Sequence, residues 1–207
     1  MISSVYDVRM PYPAQIDADR IGAVGLEVVE AAGWDGWSLR DVAKQLGVSP
    51  NALYRHVEGR NGLLVEIGSH AARHLAESLA RLDESHDPID AVVAVAKRYV
   101  DFAVERPHAY AAFTAAKPDI DNPAVAPWIE LWSSVRSVVA GAVPASPDAA
   151  AFALWALIHG RVSLANGPAR MTSATAGLGD AVHALIAGFV AGDPVESPVP
   201  PLEIEQT

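Results

Sequence analysis

The stretch Ser38–Arg60, SLRDVAKQLGVSPNALYRHVEGR, restricts the fold of this chain more than any other. Leu39, Val42, Ala43 and Leu46 recur at i, i+3, i+4 and i+7, the spacing of one apolar helix face. Ser38 precedes that face and Asp41 follows three residues on, an acidic form of the capping box. Gly47 stands where a helix end calls for positive φ. Ser49 and Pro50 are an N-cap and a first-turn proline, so a second helix begins at once. Leu53 and Val57 give it a buried side, and Asn51, Ala52, Tyr54, Arg55 and His56 are left to face outward. Two short helices meeting across a tight turn, with the small Ala43 between them, describe a helix-turn-helix. In that motif the start of the second helix meets base edges in a DNA groove. On spacing alone, an ordinary αα-hairpin inside an all-helical core is the alternative.

Charge bears on the choice. The 207 residues carry a formal net charge of −10, which argues against a polyanionic partner. The distribution weakens that objection, because Ser38–Arg60 holds four cations (Arg40, Lys44, Arg55, Arg60) against Asp41 and Glu58. Screening over about 8 Å at physiological salt makes this local excess count for more than distant acids. So few cations per chain imply modest affinity, which two copies on one site would repair. The chain is 51% hydrophobic and 19% charged, a globular composition. It has no cysteine, which fits a reducing cytoplasm. The longest uncharged apolar run, residues 149–158, is too short to cross a bilayer, so no membrane association is expected.

Helical periodicity elsewhere predicts an all-α fold. Residues 1–15 contain Pro11 and Pro13 without a sustained period and are expected to form a flexible arm. A first helix starts near Asp17 and Asp19 and buries Ile21, Val24, Gly25, Val28 and Val29. With the helix-turn-helix it would make a three-helix domain over residues 16–65. A long helix from Asn61 to about Leu82 buries Leu63, Leu64, Ile67, Ala71 and Leu75, and would link that domain to a second one over residues 66–192. His70 and His74 lie at i, i+4 on it, a spacing able to chelate a metal. No third ligand or intervening glutamate accompanies them, so an exposed, solvated pair and no metal are expected. Further helices are predicted from about Asp90 to Glu105, from Pro107 through Phe113, from Pro127 to about Ala142, from Asp148 to about Asn166, and from Ser173 to about Ala191. The Asp148–Asn166 segment is apolar nearly all round, which a subunit interface would explain. Residues 193–207 hold four prolines and four acids and read as a disordered tail.

The segment LGVSPNALYRHVEGRNGLL resembles the DNA-binding region of TetR-type transcriptional regulators. The resemblance rests on Leu46-Gly47-Val48, Leu53-Tyr54, His56-Val57, Arg60 and Leu63-Leu64. It implies an all-helical homodimer, with an N-terminal DNA-binding domain and a C-terminal bundle that senses ligand and dimerises. It further implies that Ser38, Tyr54, His56 and Arg60 position backbone phosphates, while Arg40, Ser49 and Asn51 approach base edges. Arginine to guanine and asparagine to adenine are the best direct pairings. Ala52 departs from the glycine or threonine commoner in the family, which leaves base readout there open. The partner would be a palindromic double-stranded operator and the output repression, with no cofactor. The competing classes are a helical protein-binding adaptor without DNA affinity and a small helical enzyme. The enzyme is unsupported by any phosphate loop, nucleophile elbow or metal triad.

Residues 155–160, Trp155 through Gly160, resemble the Trp-x-x-x-His-Gly signature of one subgroup of these C-terminal domains. Trp155 and His159 share a helix face. Gly160 would let another helix approach. The candidate ligand-binding set is Phe102, Tyr110, Phe113, Trp128, Trp132, Trp155 and His159, with Tyr99 and His108 as further aromatic and polar candidates. Apolar walls with a few polar groups are what a small-molecule site needs. The absence of a cationic cluster points to an apolar or aromatic effector.

Overall fold

The computed structural model describes residues 16–82, 86–166 and 173–196. The expected arm at 1–15 lies outside them, as does the tail from 197 onward. Among the described residues there is no strand. The helices are α1 (Ala18–Ala32), α2 (Leu39–Leu46), α3 (Pro50–Leu53), α4 (Gly59–Ala80), α5 (Pro88–Glu105), α6 (Pro107–Ala115), α7 (Ala126–Ala142), α8 (Pro147–Asn166) and α9 (Leu178–Ala191). A 3-10 turn, Pro123–Val125, leads into α7.

Local chemistry accounts for most boundaries. Asp17 caps α1 by accepting from the Arg20 N–H at 2.8 Å. Ser38 caps α2, accepting from the Asp41 N–H while its own hydroxyl donates to the Asp41 carboxylate. Gly47, at φ 73°, ends α2 in the left-handed region. The Ser49 hydroxyl then accepts from the Ala52 N–H at 3.2 Å, and Pro50 opens α3. Past Leu53 the chain stays in helical turns, with the Val57 N–H donating to the Leu53 carbonyl.

α4 is the spine. α1 lies across it where glycines remove the side chains. A Cβ added at Gly25 would sit 2.5 Å from Ile67 Cγ1, and one at Gly22 would sit 2.6 Å from the Glu66 carbonyl oxygen. One residue beyond Ile67, Gly68 brings α4 equally close to α6 and α7. A Cβ there would meet the Ala116 Cβ at 2.5 Å and Trp128 at 3.0 Å. Leu63, Ile67, Ala71 and Leu75 are fully buried along this spine. Leu53 and Val42 fill the core of the N-terminal helices, and Leu154, Ile158, Val182 and Ile186 that of the C-terminal ones.

Several expected boundaries shift. α4 starts at Gly59 rather than Asn61. α5 starts at Pro88 rather than Asp90, because the Asp87 carboxylate accepts from the Ile89 and Asp90 N–H groups. The last helix begins at Leu178, not Ser173. Arg161 on α8 donates to the Ala174 and Ala176 carbonyls, and Gly177 takes φ 62°, so the chain before Leu178 is held out of helix. Residues 193–196 of the expected tail run without helix, and the Val195 N–H donates to Ser146 Oγ at 2.8 Å.

Among the described residues no single helix is long and apolar enough to cross a membrane. The pair 123–142 and 147–166 reaches that composition only jointly and is bent by 113°. Arg136 and Asp148 pair across the bend, and this hydrogen-bonded guanidinium holds the Asp148 carboxyl below its usual range.

Candidate functional site

The second helix of the motif is held from behind and open in front. Leu53 is fully buried, and Val57 nearly so, against the core that α1 and α2 form. On the outer side Ser38, Arg40, Ser49, Asn51 and Tyr54 border one shallow concavity. Arg40 and Asn51 are exposed, and Tyr54 is 54% exposed although it is a large aromatic. Exposed aromatic and amide groups at the start of a helix are free to reach a groove. The two serines are less free, since both already cap helices. Ser38 spends its hydroxyl proton on Asp41, whereas Ser49 keeps a donor to offer.

His56 and Arg60 are exposed but lie outside this concavity. The Arg60 guanidinium carbon sits 3.9 Å above the Trp37 ring, a cation–π contact. Trp37 is a residue the sequence reading passed over. It occupies the position before the Ser38 cap, where a buried hydrophobic side chain fixes the entry of a helix, and that spacing was the available signal.

The second site is a cavity of about 440 Å³ among α5, α6, α7 and α8. Of the expected ligand residues, Phe113, Trp128, Trp132, Trp155 and His159 line it. Phe113 and Trp128 stack at 6.1 Å with 13° between their planes, and Trp155 and His159 at 5.2 Å with 14°. Tyr99, from α5, is part of the wall, as are Ile120 and Val125 of the α6–α7 connection. No Asp, Glu, Lys or Arg is among the described residues lining it.

Three expected pocket residues lie elsewhere. Phe102 does not line the cavity; it is buried on α5 with the Arg106 guanidinium over its ring. Tyr110 stands behind the wall, its hydroxyl 2.7 Å from His159 Nδ1. Burial pushes the Tyr110 phenol up to about 12, so it keeps its proton. With Tyr110 as donor, the imidazole proton sits on Nε2. His108 faces away from the cavity and accepts the Trp34 N–H at 3.3 Å. Arg106 joins it by gripping Glu30 of α1 through two hydrogen bonds of 2.7 and 2.9 Å. The turn between α5 and α6 is therefore tied to the N-terminal helices, a link no local pattern announced.

The histidine pair also differs from the exposed pair expected. His70 and His74 are half-buried, ring edge to face at 4.8 Å. His70 lies between Asp19 and Arg73. Burial, with His74 and Arg73 beside it, holds His70 below its ordinary value; burial and Arg106 do the same for His74. Among the described residues no three His, Cys, Asp or Glu side chains could jointly hold a metal.

Comparison with known proteins joins the two sites. The model of bacterial regulatory proteins of the tetR family matches residues 21–67. The model of the tetracyclin repressor-like C-terminal domain matches residues 92–189. The chain belongs to the TetR family. It is a DNA-binding transcriptional regulator, and members of this family are not enzymes. An uncharacterized HTH-type transcriptional regulator of Mycobacterium tuberculosis is 28% identical over 73% of this chain and 71% of its own length. Among solved structures, a possible TetR family transcriptional regulator from Streptomyces coelicolor A3(2) aligns with a TM-score of 0.65. It is 16% identical, over 84% of this chain and 99% of its own. A TetR variant from Acinetobacter baumannii, in complex with minocycline, aligns with a TM-score of 0.59. It is 21% identical, over 85% of this chain and 97% of its own. At these identities the structures share the fold.

In this TetR-family chain, then, α1 to α3 carry the exposed face of Arg40, Asn51 and Tyr54, and α5 to α8 surround the cavity. α4 touches both sets at adjacent positions, Ile67 against Gly25 of α1 and Gly68 against Ala116 and Trp128.

Proposed function

We propose that this regulator is a homodimeric repressor that binds a palindromic operator and releases it when a small apolar molecule enters the cavity. The observation that carries the reading is the double grip on α4. Gly25 of α1 presses on Ile67, and Gly68 presses on Ala116 and on Trp128 of the cavity wall. A ligand that moves Trp128 or the end of α6 meets α4 without slack, and α4 meets α1 without slack. The Glu30–Arg106 and Trp34–His108 links add a second rigid path from α6. Packed elements of this kind switch between discrete arrangements rather than deform smoothly. The coupling would be about 1–3 kcal/mol. That a TetR neighbour of the same fold was solved with minocycline supports a small-molecule effector.

Dimerisation is supported by the outer faces of α8 and α9. Phe152, Trp155, Leu164 and Val190 are exposed there. Gly160 and Gly188 have no neighbour within 4 Å of an added Cβ, leaving room for a second pair of helices. Two reading heads about 34–36 Å apart would then face successive major grooves. Asn51 and Arg40 would read bases, and Tyr54, His56 and Arg60 would hold phosphates, with Ser38 and Ser49 contributing what their caps leave free. The protein would act in the cytoplasm.

Selection from random duplexes tests this. The expected product is an inverted repeat with half-sites 10–10.5 base pairs apart, or a multiple, centre to centre. A single asymmetric half-site, or no enrichment at low salt, would refute the proposal.

A further inference from the structure

A second cavity, of about 420 Å³, lies where α1, α4 and the start of α7 meet. It shares no described lining residue with the aromatic cavity: Pro127 and Glu130 of α7 border it, whereas Trp128 and Trp132 border the other. Its α4 wall is Glu66, Ser69, His70 and Arg73, which recur at i, i+3, i+4 and i+7 and so form one face. Two carboxylates there lack a cation. Arg73 bonds Asp19 of α1, and among the described residues neither Glu66 nor Glu130 has an ion-pair partner. His70 does not supply the charge, because burial, with His74 and Arg73 beside it, holds it below its ordinary value. Burial raises the Glu66 carboxyl, and Arg73 offsets this only in part. Ser69 is an independent sign of a ligand. It is 5% exposed, like the other buried serines, and those two are provided for. Ser78 donates to the Leu75 carbonyl and Ser146 accepts the Val195 N–H, each at 2.8 Å. The Ser69 hydroxyl has no hydrogen bond among the described residues, and unlike Trp37 Nε1 and the Tyr99 hydroxyl it is not sealed from solvent. A buried hydroxyl left open to a cavity is a place for a polar group from outside the chain.

We propose that this cavity is a ligand site separate from the aromatic one, taking an elongated organic dication, an α,ω-diamine, with one ammonium at Glu66 and Ser69 and the other at Glu130. An ammonium group donates three hydrogen bonds and accepts none, which matches carboxylates and a hydroxyl oxygen. A metal ion does not suit the site, because among the described residues no three His, Cys, Asp or Glu side chains converge on one point. Carboxylates carried by two different helices suit two ammonium groups held apart. Gly22, Ala126 and Pro127 offer small apolar surfaces to the methylenes between them. An anion would meet Glu66 and Glu130 with only Arg73, already committed to Asp19, to attract it. Because α1, α4 and α7 all border the site, its occupant bridges the N-terminal and C-terminal helices without entering the aromatic cavity.

The probes are 1,4-diaminobutane, 1,6-diaminohexane, 1-aminobutane and succinate, titrated by calorimetry into the full-length protein and its variants. One of the diamines is expected to bind at one site per chain, about tenfold more tightly than the monoamine, and succinate not at all. Glu66→Gln and Glu130→Gln should each weaken that diamine about five- to tenfold. The melting temperature of Glu66→Gln should hold or rise, since the variant removes a carboxylate short of solvent and of a partner. Glu105→Gln, at an exposed acid of α5 outside the cavity, should change nothing. The chain carries a net charge of −10, so diamines could also gather on it as counter-ions. Binding that does not saturate, or equal weakening by Glu105→Gln and Glu66→Gln, identifies that case and overturns the proposal. Failure of both diamines to bind, or tighter binding of succinate, overturns it as well. None of these results bears on the aromatic cavity.

Discussion

The proposed DNA-reading surface and the cavity solve opposite problems. At the first, polar side chains stand in solvent and the work lies in holding them still. Leu53 and Val57 anchor the short helix, Ser49 caps it and Ser38 caps α2 before it, and Arg60 rests on Trp37. At the second, apolar side chains surround a space they do not fill, and Trp128 and Trp132 remain only half-buried. One region is finished before its partner arrives; the other is left unfilled. Rigid presentation suits a partner of fixed geometry such as duplex DNA. Unfilled volume suits a ligand whose arrival must change something.

The contrast can be broken most forcefully from behind the reading head. Leu53→Ala should cost about 2–5 kcal/mol and abolish operator binding, because it hollows the core on which Asn51 and Tyr54 are presented. Denaturant melts and shift assays on one preparation check both. Next in size, Arg40→Ala and Asn51→Ala should each cost about 1–3 kcal/mol of discrimination at one base pair, with melting unchanged. Binding to a panel of operator variants reads this out.

On the cavity side, Gly68→Ala forces a methyl against Ala116 and Trp128, and overpacking of this kind costs about 1–3 kcal/mol. The sharper expectation is that operator affinity changes although no DNA-facing residue is touched, as fluorescence anisotropy would show. Glu30→Gln should cost less, about 0.5–1 kcal/mol, since Glu30 and Arg106 stay 32% and 31% exposed and solvent screens them. Its signature is a weaker response of DNA binding to ligand.

Smallest is the pH effect at the joint between the regions. His70 and His74 are held below 6.5, so on acidification the unfolded chain takes up protons first. Their contribution is whole above pH 6.5 and is lost as pH falls through their folded values. Glu66, raised by burial, acts in the other direction, and its cost is relieved only as pH nears the carboxylate range. Melts between pH 7.5 and 5.5 should fall in native protein and flatten in His70→Gln.

What could be read from the sequence follows from how local each cause is. The caps at Ser38 and Ser49 and the turn at Gly47 are decided within four residues, and they stand where expected. The start of α9 is decided by Arg161, over a dozen residues upstream, so helical periodicity placed it too early. His70 and His74 satisfy an exposed spacing on their own helix, but α1 brings Asp19 against His70 and Glu30 near His74. Aromatic composition pointed to a cavity, yet which rings face it depends on how four helices rotate against one another. Phe102 and Tyr110 turned aside. The α4 contacts at Gly25 and Gly68 leave no local trace beyond a glycine within each of two helices.

The most direct test counts chains on DNA. Sedimentation of a labelled operator duplex with the full-length protein, repeated with one half-site scrambled and at two salt concentrations, should show two chains per intact site. It should also show a steep loss of affinity with the scrambled half, and binding that weakens as salt rises. A single chain bound with undiminished affinity to the scrambled duplex would contradict the account.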